Sequence, residues 1–254
     1  AGYEKFEKLM ADFAPTFLEP IAKKKMDDEN FYTEQTEIEY VIFNGFSEIS
    51  KSFDNLKLIE KFVHINPPQE DEINYANYLT YHIHNYLQEM YIFKNRLDTY
   101  IKTINEQYKK QIGEKLLEDV KENLLKIIKS TLNNITAFKT GARSKHVHYE
   151  RFLDEELKWL SSTNFLSNFH DEFKIESEKA YIMAKDKWYK LIKNNNEELK
   201  KLLDIYFNAI HTIIAIDNKV ILPQNTDGSV SQNVGRKTRL PCDYLSFYLV
   251  KLLI

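Results

Sequence analysis

Apolar positions along this chain recur at alternating steps of four and three, the spacing that lines one face of an α-helix. The clearest run is Leu79, Ile83, Tyr86, Met90, Phe93, Leu97, Tyr100 and Ile104, a heptad seam of the kind found in bundles. Glu70, Asp71 and Glu72 stand ahead of it, where the helix macrodipole favours negative charge. Upstream, Asn66-Pro67-Pro68 stops a helix expected from about Thr33 to His64, because the residue before a proline is pushed out of the helical region. An amphipathic first helix is expected from about Tyr3 to Lys25, kinked or interrupted near Pro15 and Pro20.

After Gly113 the seam resumes with Leu117, Val120, Leu124, Ile127, Thr131, Ile135 and Phe138, and Gly141 would end this fourth helix with a left-handed cap. A short helix from Asp154 to Leu160 and a long one from roughly Ile175 to Ala215 follow. The long helix turns Tyr181, Trp188, Leu191, Leu199, Leu202, Tyr206 and Ile213 inward. Asn194-Asn195-Asn196 would either bend it or supply a fresh N-cap at Asn196. From Pro223 to Arg239 the composition shifts to Gln, Asn, Thr, Asp, Gly and Ser, which reads as a flexible loop. Asp243 to Ile254 is apolar enough for a docked helix or a strand.

Composition supports an all-α, long-helix, up-and-down bundle. The 254 residues include only 6 Gly and 6 Pro, too few for the frequent turns of a sandwich or the Gly-rich turns of a doubly wound sheet. The sequence holds no internal repeat and no low-complexity tract long enough to define a separate domain, so a single all-α domain over residues 1–254 is expected, with a bundle core at about 33–160, a helical extension at about 171–254 and a loop near 223–239. Charge is balanced at 35 basic against 38 acidic residues, net −3, which excludes a general nucleic-acid binder and leaves room for a local cationic patch. A single cysteine, Cys242, excludes an internal disulfide and a Cys-based zinc site and points to a reducing, cytoplasmic compartment. The longest apolar stretch, Tyr244 to Ile254, is 11 residues and interrupted by Ser246 and Lys251, too short to span a bilayer, so no membrane partner is expected. The opening Ala1-Gly2-Tyr3-Glu4-Lys5 is polar, has no signal-peptide character and lacks an initiator Met; it reads as a cloning remnant or as the interior of a longer parent.

The densest candidate chemistry lies between Lys139 and Arg151, where cationic residues and two histidines gather in a neutral protein. Arg143 and His148 supply a permanent guanidinium and an imidazole that titrates near neutrality, the groups needed to hold a phosphodiester and move a proton. The plain alternative is an exposed basic turn, with Lys139, Lys145 and Arg151 as ordinary partners of helix termini. His82, Glu89 and Arg96 repeat every seven residues beside the third-helix seam and are either supporting groups that orient an imidazole or a polar flank of the bundle. His82 and His84 are two apart and face different ways, and no Glu-x-x-His pair exists, so no metal site and no cofactor are expected. Gly-rich phosphate loops and a nucleophilic setting for Cys242 are missing from the sequence.

Arg143-Ser-Lys-His-Val-His148-Tyr-Glu150 is similar to the Arg-Asn-x-x-Val-His pattern of the HEPN superfamily (higher eukaryotes and prokaryotes nucleotide-binding). Phe152-Leu-Asp-Glu-Glu-Leu157 resembles the helix opening after that motif, and Tyr81 to Leu97 resembles the Tyr-rich long helix of a bacterial branch. The resemblance covers about Thr33 to Leu160. It implies a four-helix core, a homodimer in which two Arg-x4-6-His motifs meet in a cleft, and metal-independent endoribonuclease activity of a toxin-antitoxin, antiphage or RNA-processing kind. Arg143 would then hold the scissile phosphate and His148 would act as general base or acid, with Ser144, Lys145, His146 and Tyr149 near the RNA. Family members often carry Asn where this chain has Ser144, and many are non-catalytic. The alternative is therefore a helical interaction or RNA-binding module that docks an antitoxin or another protein.

Overall fold

The structure, a computed structural model, describes residues 1–25, 34–67, 74–135 and 154–223. The fold is all-α: the described residues form α1 (Gly2–Lys25), α2 (Glu34–His64), α3 (Tyr75–Ile112), α4 (Glu114–Asn134), α5 (Glu155–Ser167) and α6 (Phe173–Ile214), followed by a small hairpin of β1 (Ala215–Ile216) and β2 (Lys219–Val220). Two compact units arise, one from residues 1–48, 96–128 and 200–254, the other from 49–95 and 129–199. Their boundaries fall inside helices rather than in linkers.

In the first unit the core is aromatic. Phe6 lies against Phe207 with ring centroids 4.7 Å apart, and Phe46 meets Phe6 at 5.4 Å and Phe207 at 5.4 Å, edge to face with the latter. Buried tyrosines hold their hydroxyls on backbone carbonyls: Tyr100 donates to Ile42 at 3.0 Å, Tyr206 to Leu97 at 2.8 Å and Tyr108 to Ile221 at 2.6 Å. Each ring thereby buries its area without leaving a polar atom unsatisfied. Two glycines mark close approaches. A Cβ on Gly45 would stand 2.3 Å from the Tyr100 ring, and one on Gly2 would stand 2.1 Å from the Asp204 carbonyl. The Tyr3 amide beside Gly2 donates to the Asp204 carboxylate at 2.9 Å, satisfying one open donor of the first turn of α1.

The second unit packs α2, α3 and α6 around Phe53, Leu56, Leu79, Ile83, Tyr86 and Ile192. Phe53 and Phe93 meet at 6.2 Å, and Tyr75 stacks on Tyr181 at 4.7 Å. Asn196 is buried on α6, where its amide donates to Glu60 at 2.8 Å and to the Leu56 carbonyl at 3.3 Å, while the Tyr86 hydroxyl donates to its oxygen at 3.3 Å.

All eight residues of the third-helix seam are buried. Several boundaries differ from the sequence expectation. Of the kink or interruption expected near Pro15 and Pro20, the interruption does not occur: α1 is one helix, and the face carrying Phe6, Met10 and Phe17 is buried on both sides of Pro15, which outweighs the lost backbone bond. α3 starts at Tyr75 rather than at the acidic cluster, because Asn74 caps it by accepting from the Asn77 amide at 2.8 Å; its first turn has no acidic residue, and residues 68–73 lie outside the described residues. On α4 the buried stripe after Leu124 passes through Ile128 and Leu132, leaving Ile127 and Thr131 half-buried. A straight helix drifts from a strict heptad, so successive steps of four replace the expected three. Phe138 and Gly141 lie outside the described residues.

α5 continues to Ser167, beyond the expected end at Leu160. α6 is continuous through Asn194-Asn195-Asn196, with Asn195 and Asn196 inside rather than at a break, and the inward residue near Leu191 is Ile192. The hairpin at the end of α6 is absent from the sequence reading. Asp217 and Asn218 take positive φ angles of 49° and 57°, a two-residue turn that pairs Ala215 with Val220 and Ile216 with Lys219. The expected loop from Pro223 to Arg239 and the segment Asp243 to Ile254 lie, beyond Pro223 itself, outside the described residues.

Candidate functional site

Arg143, Ser144, Lys145, His146, His148 and Tyr149 all lie in residues 136–153, outside the described residues. Their frame is described on both sides. α4 ends at Asn134, followed by the buried Ile135, and α5 opens at Glu155. Asp154 caps α5 by accepting from the Leu157 amide at 3.0 Å, and its other oxygen accepts from the Trp188 indole and from Lys187, each at 3.0 Å. Glu156 also accepts from Lys187, and that hydrogen bond holds its carboxyl below the ordinary range. The residue that leaves the motif segment is thus tied to α6 by two hydrogen bonds to a carboxylate that also caps α5.

The supporting trio from α3 divides. His82 and Glu89 come together in a groove of about 400 Å³ between α2 and α3 in the second unit. Arg96 belongs to the first unit, where it donates to the Glu48 carbonyl at 2.9 Å and pairs with the Glu48 carboxylate. In the groove, the Glu89 carboxylate accepts from Ser52 Oγ on one oxygen and from Asn55 at 3.4 Å on the other. The His82 ring lies parallel to Phe62 at 5.0 Å and meets Tyr78 edge-on at 4.5 Å, and the Tyr78 hydroxyl in turn donates to the Phe62 carbonyl at 3.1 Å. Burial pushes the His82 pKa below its ordinary value, so the ring is neutral at physiological pH.

Other groove residues escaped sequence reasoning. Tyr81, Asn85, Gln88 and Ile92 follow one another on α3 at steps of four, three and four, and Asn55, Leu58 and Phe62 face them from α2. The signal was present as a second stripe at helical spacing beside the core seam, but its mixed polarity resembles any solvated flank. Among the described residues, no lysine or arginine lines the groove. The groove thus holds a neutral imidazole and a carboxylate that accepts from Ser52.

Among the described residues, no group of three or more His, Cys, Asp and Glu is arranged to hold a metal, and no helix is long and apolar enough to cross a membrane. No protein-family model, curated protein or solved structure matches this chain. The class defined by the coordinates is that of an all-α, bundle-like protein.

Proposed function

We propose that this chain is a metal-independent endoribonuclease of the HEPN kind, acting in the cytoplasm as a homodimer in a toxin-antitoxin or antiphage setting. The observation that carries the reading is the Arg143-x4-His148 motif in the connection between α4 and α5 of an all-α chain. The resemblance implies an all-α bundle that carries such a motif, and the described residues are all-α. His148 takes the proton of the ribose 2′-OH as its oxygen attacks the phosphorus. The bond between phosphorus and the 5′ oxygen breaks, and that oxygen leaves as a hydroxyl by taking a proton from water. A 2′,3′-cyclic phosphate remains on the other fragment. Arg143 stabilises the charge that grows on the phosphate oxygens, where a fixed guanidinium is most effective. Ser144, Lys145, His146 and Tyr149 would contact RNA, and an antitoxin would be the natural protein partner.

The test is cleavage of varied single-stranded RNAs by the full chain in EDTA. Cyclic-phosphate ends are expected, and Arg143→Ala and His148→Ala should each lower the rate by at least about 100-fold with the far-UV CD unchanged. Equal, negligible cleavage by wild type and both variants overturns the enzyme reading.

A second reading, a non-catalytic interaction module, is favoured by a different observation. Trp159 and Phe165 on α5, Phe169 just after it, and Ile175, Ile182 and Met183 on α6 are all more than half exposed (54% to 69%). A partner helix covering these side chains would account for them without any chemistry at Arg143.

A further inference from the structure

The groove between α2 and α3 combines flat rings with uncommitted amides. Tyr81 stands at its rim 64% exposed, Phe62 is 37% exposed and lies over the His82 ring, and Asn85 and Gln88 project from the turns that follow. Neither Asn85 nor Gln88 has a side-chain hydrogen-bond partner among the described residues. Leu58, Ile59 and Ile92 supply the apolar part of the wall. We propose that this groove binds a single nucleobase, stacked on Tyr81 and Phe62 and read along its edge by Asn85 and Gln88.

Three features select that ligand class. A planar heteroaromatic ring is the shape that flat side chains hold best, and stacking on aromatic residues is how unpaired bases are commonly gripped. Side-chain amides offer a donor and an acceptor side by side, which is the complement of a base edge. Among the described residues no lysine or arginine lines the groove, which leaves phosphates outside it, so binding is carried by the base and its affinity is insensitive to salt. At about 400 Å³ the groove suits one small ligand rather than a docked helix.

The base can come from a free nucleoside or from an RNA strand; only the second source rests on the endoribonuclease reading. The probe is the phosphate-free nucleoside, titrated into the full chain by calorimetry with each of adenosine, guanosine, cytidine and uridine. At least one is expected to bind, with unchanged affinity between about 50 and 300 mM salt. Tyr81→Ala should weaken it by about tenfold or more, Tyr81→Phe should retain it, and Asn85→Ala with Gln88→Ala should flatten the preference among bases. Arg143→Ala should leave nucleoside binding unchanged. Displacement of the nucleoside by a single-stranded oligoribonucleotide assigns the base to RNA, and lack of displacement assigns it to a free nucleoside. Absence of nucleoside binding, or equal binding by wild type and Tyr81→Ala, overturns the proposal. Nucleoside binding without RNA cleavage would overturn the endoribonuclease reading alone, and cleavage without nucleoside binding would overturn the groove assignment alone.

Discussion

Asn196 on α6 donates to the Glu60 carboxylate on α2 at 2.8 Å, and the same amide group accepts from Tyr86 on α3, so one buried side chain links three helices of the second unit. Removing it leaves the Leu56 carbonyl and Glu60 without this donor in a packed interior. Asn196→Ala should therefore destabilise the protein by about 2–3 kcal/mol, whereas Tyr86→Phe, which gives up one hydroxyl, should cost about 1 kcal/mol. Urea unfolding of the two variants and of their double variant measures the coupling, and additive losses would show that the two side chains do not act together.

Gly45 admits the Tyr100 ring where any Cβ would collide with it, and that ring is anchored by its hydroxyl on the Ile42 carbonyl. Gly45→Ala should cost about 1–3 kcal/mol although alanine is the better helix former, because overpacking exceeds the propensity gain. Tyr100→Ala opens space at the same point, so Gly45→Ala should cost much less in that background. Equal cost in both backgrounds, measured by thermal unfolding, would place the strain elsewhere.

Asp154 is at once the cap of α5 and the acceptor for the Trp188 indole. Asp154→Ala should lose about 2 kcal/mol, more than a simple cap, since the buried Trp188 also loses this hydrogen bond. Asp154→Asn keeps a single acceptor oxygen, enough for the Leu157 amide or the Trp188 indole but not both, and should recover only part of the loss. Chemical denaturation with tryptophan fluorescence reads both effects at once.

Stability should depend on pH through two histidines. Burial lowers the pKa of His82 in the second unit, and burial together with Lys5 lowers that of His211 in the first, each from 6.5. The unfolded chain therefore binds more protons than the folded one below about pH 6.5, so the contribution is present above that pH and is lost as pH falls through the folded values. The melting temperature should drop between pH 7 and pH 5, and replacing both histidines with phenylalanine should flatten that part of the profile. A slope unchanged in the double variant would assign the acid sensitivity to carboxylates.

Helix existence was legible because it depends on local period: a core face must recur at 3.6 residues wherever the helix goes, and the α3 seam from Leu79 to Ile104 is buried at every position. Scarce Gly and Pro also limited the turns, and Gly113 marks the junction of α3 and α4 with a φ of +113°, a conformation that favours glycine. The candidate Arg143 and His148 motif was readable as chemistry, but it lies outside the described residues.

Other features depended on residues distant in sequence. Asn194-Asn195-Asn196 has the composition of a helix break, yet α6 runs through it, because Glu60, Leu56 and Tyr86 supply partners that no local window contains. The groove was unreadable for the same reason. His82 and Glu89 were visible as a stripe with Arg96, but only the packing of α2 against α3 brought the first two together with Phe62 and Asn55, while Arg96 met Glu48. Local sequence sets period and caps through nearest-neighbour geometry. Which polar residues become interior, and which stripe becomes a binding surface, is set by the helix that arrives opposite.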